Sequence, residues 1–486
     1  MKVKAVGFEA VQSIQNLANS VPLFAQRKTL IRVYTSLAGL KKSVTIKAEI
    51  ELNNNRLHTK KISSSSVISV MRSGSRKLDI QRSHLGNSLN FVIPSRVLEQ
   101  GQLRVRLSKV WDITDPAASI EIDTTDDSHV LDLAVHEPKT LRLHVLGIAT
   151  NGSIRRAPQA SDIDRIFHEV SELLPVSTLD FSHSVIDAPP EAIPPFSSAK
   201  SDGRDLVWER KHNIISACIM AKRVCDIETG QRDPRTVYYG MVADDGTLKD
   251  AAVSNVASRA RPSIVSAGPG GRFAQVYAVH ELGHVLTCLH PGHPPKDQAR
   301  TDPSFPKSYN GRISDDVDKH MGWRAGAPQS QGRLLNYSDT FDLMAYATIT
   351  GISAHNYLIT ANGLADIECT DIEKTTNGCI AVIGVFDKDN ATLSGEIRYL
   401  YKSRYNIPRA EKHDNDVKVQ VNRTGDVCDV YEIDQKFENG ALHTRSGPFQ
   451  ICVPYTDDIE SFTLVIKNKS VDSKPISALR SAKDGG

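Results

Sequence analysis

The sequence predicts a multidomain chain in which one α/β (α+β) domain is flanked by N- and C-terminal antiparallel β-sandwich domains. Three observations lead there. Apolar and polar residues alternate in short runs at both ends of the chain, with Gly, Asn and Ser clusters between the runs. In the middle, more continuous apolar strands alternate with segments of helical periodicity. At 486 residues the chain is also too long for one core, and roughly two to four domains are the natural expectation.

The first part, residues 1–138, reads as a β-sandwich. "TLIRVYTSL" (29–37), "SVTIKAEIEL" (43–52), "LNFVIPS" (89–95) and "QLRVRLSKV" (102–110) all alternate, and short strands at this spacing suit two packed antiparallel sheets. The acidic stretch "DITDPAASIEIDTTDDSHV" (112–130) reads as a long loop or a last hairpin. The pattern changes near residue 140, where "TLRLHVLGIA" (140–149) is suited to burial on both faces. Next comes a helix over 161–175, with Ile163, Ile166, Phe167, Val170, Leu173 and Leu174 at helical spacing. Ser161 and Asp164 resemble a capping box there, and Pro175 stops the helix. A Pro-rich connection leads to a second helix near 205–222, strands at 236–242 and 263–268, and a third helix over 272–286. This α/β region spans 139–370. Strands return at "CIAVIGVFD", "GEIRYLYKS", "VKVQVNR", "FQICVPY" and "FTLVIKN", so residues 371–486 read as a C-terminal β-sandwich that ends near 470 in a polar tail.

Composition bounds the function. Hydrophobic content of 40% and charged content of 24% are ordinary for a globular protein. No apolar run reaches about 18 residues, which excludes a helical membrane span. The N-terminus lacks a long apolar segment and reads as mature protein rather than a signal peptide. Net charge is +2, yet residues 1–110 carry 19 Lys and Arg against 5 Asp and Glu. That asymmetry predicts an anionic glycan or anionic surface as partner for this part, unless the cations are dispersed. No recognised nucleic-acid motif accompanies it. Of seven cysteines, Cys369 with Cys379 and Cys428 with Cys452 have spacings that suit short-loop disulfides, with Cys218 and Cys225 a weaker pair. The expectation is an exported, extracellular protein.

The chemistry concentrates in "VYAVHELGHVLTCLHPGH" (276–293). His280, Glu281 and His284 form an HExxH pattern on the third helix. Residues four apart share a helix face, so both imidazoles can grip one Zn²⁺ at about 2.0–2.1 Å. Glu281 follows the first ligand directly and serves as base on the attacking water rather than as ligand. The third ligand is His290, with His293 as the alternative. On a continued helix His290 would lie about 600° beyond His284 and point away, so the helix must end and the chain double back. Glycine in the left-handed conformation is the usual device, but Thr287 stands there, and a β-branched residue pays about 1–2 kcal/mol for that conformation. A later turn at Pro291-Gly292 is the other route.

On these residues the chain resembles the metzincin zinc endopeptidases, whose signature is HExxHxxGxxH followed by a methionine turn. "HELGHVLTCLH" matches every fixed position except Thr287. "DLMAYA" (342–347), whose Met344 lies fifty-four residues past His290, is similar to that turn. The resemblance implies a metzincin-like catalytic domain, Met344 beneath the zinc, and Tyr346 near the metal or the reaction intermediate. "SIVSAG" would supply the edge that pairs with an extended peptide substrate, and "GISAHNYLI" (351–359) would open the last helix of the domain. The β flanks are similar in arrangement to secreted multidomain bacterial proteases, some of which act on mucin-type glycoproteins. The expected substrate is therefore a protein or glycoprotein. Asp315, Asp316 and Asp318 form a candidate Ca²⁺ loop or a plain solvated acidic loop. The competing reading is a glycan- or surface-binding protein whose zinc site is structural or inactive, which Thr287 favours.

Overall fold

The computed structural model describes residues 1–38, 44–54, 59–70, 77–115, 117, 120–151, 155–188, 200–201, 204–242, 253–254, 265–269, 274–292, 301–326, 332–345, 347, 350–369, 374–387, 393–405, 416–425, 427–433 and 446–480. Strand dominates, arranged in several sheets. The α-helices described are α1 (Leu78–Ser83), α2 (Ala160–Leu173), α3 (Leu206–Glu228), α4 (Ala274–Val285) and α5 (Ala354–Cys369). None is long and apolar enough to cross a membrane. Contacts divide the chain into two compact units. The first holds residues 1–140, 168–179 and 290–362; the second holds 141–167, 180–289 and 363–486.

The first unit is built on two sheets. One has four strands in the order 121–122, 2–11, 29–38, 89–93. The other runs 23–24, 130–136, 101–112, 44–54, 60–63, with 68–70 also paired to 44–54. Strand Val44–Asn54 shows why the alternation was informative: its apolar positions are buried and the polar ones between them are not. The inward faces meet in one core that includes Val33, Ile46, Ile50, Phe91, Val105 and Leu107. Segment 290–362 is tied to this frame. Ile14–Gln15 pairs antiparallel with Met321–Arg324, which pairs in turn with Arg333–Leu335. Buried Glu9 accepts hydrogen bonds from Tyr34 and Arg82, and Arg82 also donates to the Lys319 carbonyl at 2.7 Å.

The second unit holds a sheet in the order 155–156, 140–151, 237–242, 265–269, 253–254, with 178–187 also on 140–151. Strands 140–151, 237–242 and 265–269 are mutually parallel. Every residue of Val237–Val242 is buried, as the continuous apolar run required. Val265–Pro269 is not the sheet edge expected of "SIVSAG": Val253–Ser254 pairs antiparallel along its outer side. Further along, a three-stranded sheet (394–405, 374–387, 446–454) and a four-stranded sheet (427–432, 417–423, 459–466, 469–475) enclose a core of Val382, Leu400, Val419, Phe449, Phe462 and Leu464. The strand Lys469–Pro475 occupies what the sequence suggested was the start of a tail. Helix α3 packs Ala217, Ala221, Val224 and Cys225 against Ala381, Ile383 and Tyr401.

The short-loop cysteine pairs do not form. Cys369 and Cys428 are exposed, whereas Cys379 and Cys452 are buried on neighbouring strands. Sheet register, rather than distance along the chain, decides which cysteines lie near one another.

His144 on the first parallel strand is buried and bonds the Ser182 and Ser184 hydroxyls, each at 2.9 Å, through its two ring nitrogens. Burial, then the nearby Arg232 charge, lowers its pKa to about 4. The unfolded chain therefore binds the extra proton first. The contribution to stability is complete above about pH 6.5 and is lost as pH falls toward 4, on the order of 3 kcal/mol at most. Urea titrations at pH 7 and pH 4.5 should show this loss, and His144→Gln should remove part of the pH dependence. An unchanged slope in that variant would clear His144 of the effect.

Candidate metal centre

Helix α4 carries His280, Glu281 and His284, all buried. The two imidazoles share a face, their ring centroids 4.9 Å apart and their planes at 86°. Tyr239, on the neighbouring strand, is fully buried; burial and then the Glu281 charge raise its hydroxyl pKa well above the usual tyrosine value.

The helix ends where the sequence demanded a reversal. The Cys288 N–H bonds the Gly283 carbonyl at 2.9 Å, and the Thr287 N–H bonds the His284 carbonyl at 2.9 Å. This pair of bonds is a Schellman motif with Thr287 at the left-handed position. Its φ is +74°. Thr287 thus adopts the conformation that glycine would adopt more cheaply. Of the two routes, the chain takes the strained one, and Gly292 supplies a further left-handed residue at φ +72°. Across the turn, His284 donates from Nδ1 to the Cys288 carbonyl at 2.9 Å. That bond fixes the tautomer and leaves Nε2 with its lone pair. Gly363 of α5 makes the close approach possible, since a Cβ there would sit 2.7 Å from the Leu286 carbonyl oxygen.

His290 emerges from this turn buried. It forms a parallel bridge with Thr301, and its carbonyl accepts the Asp302 N–H at 2.7 Å. Asp302 is itself pinned. One carboxylate oxygen accepts from the Ser304 N–H (2.8 Å) and hydroxyl (2.6 Å), and the other contacts His355 Nε2 at 2.8 Å. Burial opposes the Asp302 charge, but the bonds from His355 and Ser304 outweigh it and hold the carboxyl well below the usual carboxylate range.

The donor atoms of His280, His284 and His290 all lie within 4.8 Å of one another, and this triad could hold a metal ion. Three buried imidazoles, one already oriented by a backbone carbonyl, are a fitting donor set for a borderline divalent cation. Among the described residues this is the one such group of three. The candidate calcium loop is spent otherwise. Asp315 Oδ1 accepts from the Val317 and Asp318 N–H groups, and Asp318 Oδ2 accepts from the Tyr309 hydroxyl. Among the described residues Asp315, Asp316 and Asp318 do not gather as a group of three metal donors.

Met344 is fully buried in a tight turn. Its N–H bonds Asp342 Oδ1 at 2.7 Å, and the same carboxylate accepts from the Asn356 side chain (2.7 Å) and the Ser353 N–H (2.8 Å). Asp342 thus ties the turn to the start of α5; full burial raises its pKa. Neither Asp342 nor Asp302 was singled out from sequence, because an isolated Asp beside an apolar run carries no periodic signal. Tyr346 and His293 lie outside the described residues.

Several described cations of the basic N-terminal part have a carboxylate partner. Lys2 meets Asp123, Lys4 meets Asp126, Arg104 meets Asp132 and Arg106 meets Glu51. Over residues 1–138 the balance is 19 basic against 13 acidic side chains. The sheet itself supplies most of the missing counter-charge. Compared with known proteins, the sequence matches no family model and no curated protein.

Two outcomes follow from this geometry. Thr287→Gly should stabilise the protein by on the order of 0.5–1 kcal/mol, because relief of the left-handed strain exceeds glycine's entropic cost; a lower urea midpoint would mean that the Thr287 side chain is worth more than its strain. Replacing His280, His284 or His290 singly by Ala should each cut bound metal from about one equivalent to a small fraction, read by elemental analysis after dialysis. Full retention in His290→Ala would place the third donor elsewhere.

Proposed function

We propose that the protein is a secreted zinc-dependent endopeptidase of metzincin type that hydrolyses peptide bonds in protein or glycoprotein substrates. The observation that carries this reading is the convergence of three buried imidazoles from a helix and its left-handed turn, with Glu281 adjacent to the first. A site that only bound metal for structure would need no carboxylate at that position.

A zinc ion bound there supplies positive charge that acidifies water and polarises a peptide carbonyl. Glu281 takes the proton of the attacking water and delivers it to the departing amine. Its burial beside Tyr239 keeps bulk water from competing for that proton. His284 contributes through its fixed tautomer, held by the Cys288 carbonyl. Met344 fills a tight buried turn whose shape Asp342 sets. Tyr346, two residues on, is assigned to hydrogen-bond the intermediate on the strength of the metzincin resemblance. No side chain forms a covalent bond to substrate.

The competing reading, a glycan- or surface-binding protein with an inert metal site, drew its weight from Thr287. That weight falls once Thr287 is seen to make the same turn a glycine would make.

Incubation of the zinc-loaded protein with a denatured protein library, followed by mass spectrometry of new termini, tests the proposal. Cleavage should vanish with chelator and return with zinc. Glu281→Gln should keep its metal while the rate falls at least about 100-fold. Cleavage that survives Glu281→Gln refutes the assigned base. A metal-replete wild type that cuts nothing favours the binding protein.

A further inference from the structure

Away from the metal centre, the second unit brings two sulfurs together. Cys379 and Cys452 lie on neighbouring antiparallel strands, Lys374–Asp387 and Ser446–Pro454, with Cys379 opposite Pro454 and Cys452 opposite Ala381. Their Sγ atoms are 2.7 Å apart, and the residues are 2% and 3% exposed. No third metal-binding donor joins them among the described residues. We propose that Cys379 and Cys452 are joined as a disulfide in the working protein, a covalent clasp within the sheet on which α3 rests. This inference is independent of the protease reading.

The finished sheet surrounds the two sulfurs with different charges. Arg223 of α3 is buried and donates a side-chain hydrogen bond to a neutral acceptor, the Pro234 carbonyl, at 2.6 Å. Burial lowers the Arg223 pKa to about 10, and the charges of Tyr238 and Cys452 act against that fall. A guanidinium near Cys452 favours its thiolate. Cys379 has the opposite neighbour, Glu228, whose charge disfavours a second thiolate beside it. Glu228 is held in place by the Ser403 hydroxyl at 2.7 Å and the Arg404 N–H at 2.6 Å.

Closure is a pair of thiol–disulfide exchanges. One of the two cysteine thiolates attacks a donor disulfide, either a small organic disulfide or the disulfide form of a thiol oxidoreductase. A mixed disulfide forms and one donor thiolate leaves. The other cysteine then loses its proton to solvent and attacks the first cysteine's sulfur, releasing the second donor thiolate. Two cysteine thiols are oxidised and one donor disulfide is reduced to two thiols. Both sulfurs are buried in the finished sheet, so exchange precedes its final packing. Cys369 and Cys428 remain single thiols at the surface.

The test uses the full chain, refolded with a mixture of oxidised and reduced glutathione. It is denatured without reductant and alkylated with iodoacetamide. Five of the seven cysteines should label, reduction should add the mass of two hydrogen atoms, and digestion should yield one linked pair holding Cys379 and Cys452. Labelling of all seven, or a link from Cys369 to Cys379 or from Cys428 to Cys452, overturns the proposal. The Cys379→Ala/Cys452→Ala double variant should melt roughly 5–10 °C lower, while Cys369→Ser/Cys428→Ser should not shift. If the first variant does not fold, the reduced wild-type protein replaces it in the melt, and equal melting of reduced and oxidised forms counts against the clasp.

Discussion

The candidate metal site depends on one backbone conformation, the left-handed Thr287 at the end of α4. A regular helix through residue 290 would turn His290 about 240° from His284 and leave two ligands instead of three. The reversal costs about 1–2 kcal/mol at a β-branched residue. Such strain persists only where the surroundings over-determine it. They do so here: two backbone bonds close the motif, His284 adds a third to Cys288, and Leu286, Cys288 and Leu289 are buried around it. The absence of a side chain at Gly363 lets α5 press against the Leu286 carbonyl.

Two buried carboxylates do for the loops what the Schellman motif does for the helix. Asp342 accepts from Met344, Ser353 and Asn356; Asp302 accepts twice from Ser304 and meets His355, while its own N–H holds the His290 carbonyl. Burying a carboxylate is costly unless hydrogen bonds compensate it, and three contacts each meet that need. Functional residues on loops require such anchors because a loop has no ladder of its own. Asp302 and Asp342 both lie in segment 290–362, which the Ile14–Gly322 pairing and the Arg82–Lys319 bond fasten to the first unit's sheets.

What the sequence made legible was periodic or local. Alternation located the strands at 29–38, 44–54 and 101–112, and helical spacing located α2 and α4. The HExxH pattern placed His280, Glu281 and His284 on one helix, and the spacing to His290 required a reversal whose place, at Thr287 or at Pro291-Gly292, the sequence left open; the left-handed residue that ends the helix is Thr287. What escaped was long-range. Nothing in Ile14–Gln15 announces Met321–Gly322 as its partner, and nothing in Cys379 announces Cys452 across a register that only the folded sheet defines. Val253–Ser254 is too short to show alternation, so the outer side of Val265–Pro269 looked free. Asp342 bonds mainly to backbone N–H groups, and Asp302 joins Ser304 to His355, 53 residues further along the chain; no residue pattern encodes either.

The charge asymmetry illustrates the same limit. An excess of 14 cations in residues 1–110 would focus an attractive field only if those charges stood together without counter-ions. The fold brings residues 111–138, with 8 acidic and no Lys or Arg side chains, into the same two sheets. Strand Val130–His136 runs beside Gly101–Asp112, and Asp132 meets Arg104 across the register. Glu121–Ile122 runs beside Lys2–Val11, where Lys2 and Lys4 meet Asp123 and Asp126. Exposed pairs of this kind add little stability. Their consequence is electrostatic: the field of Lys2, Lys4, Arg104 and Arg106 is offset in space by carboxylates that lie outside or far along the basic stretch.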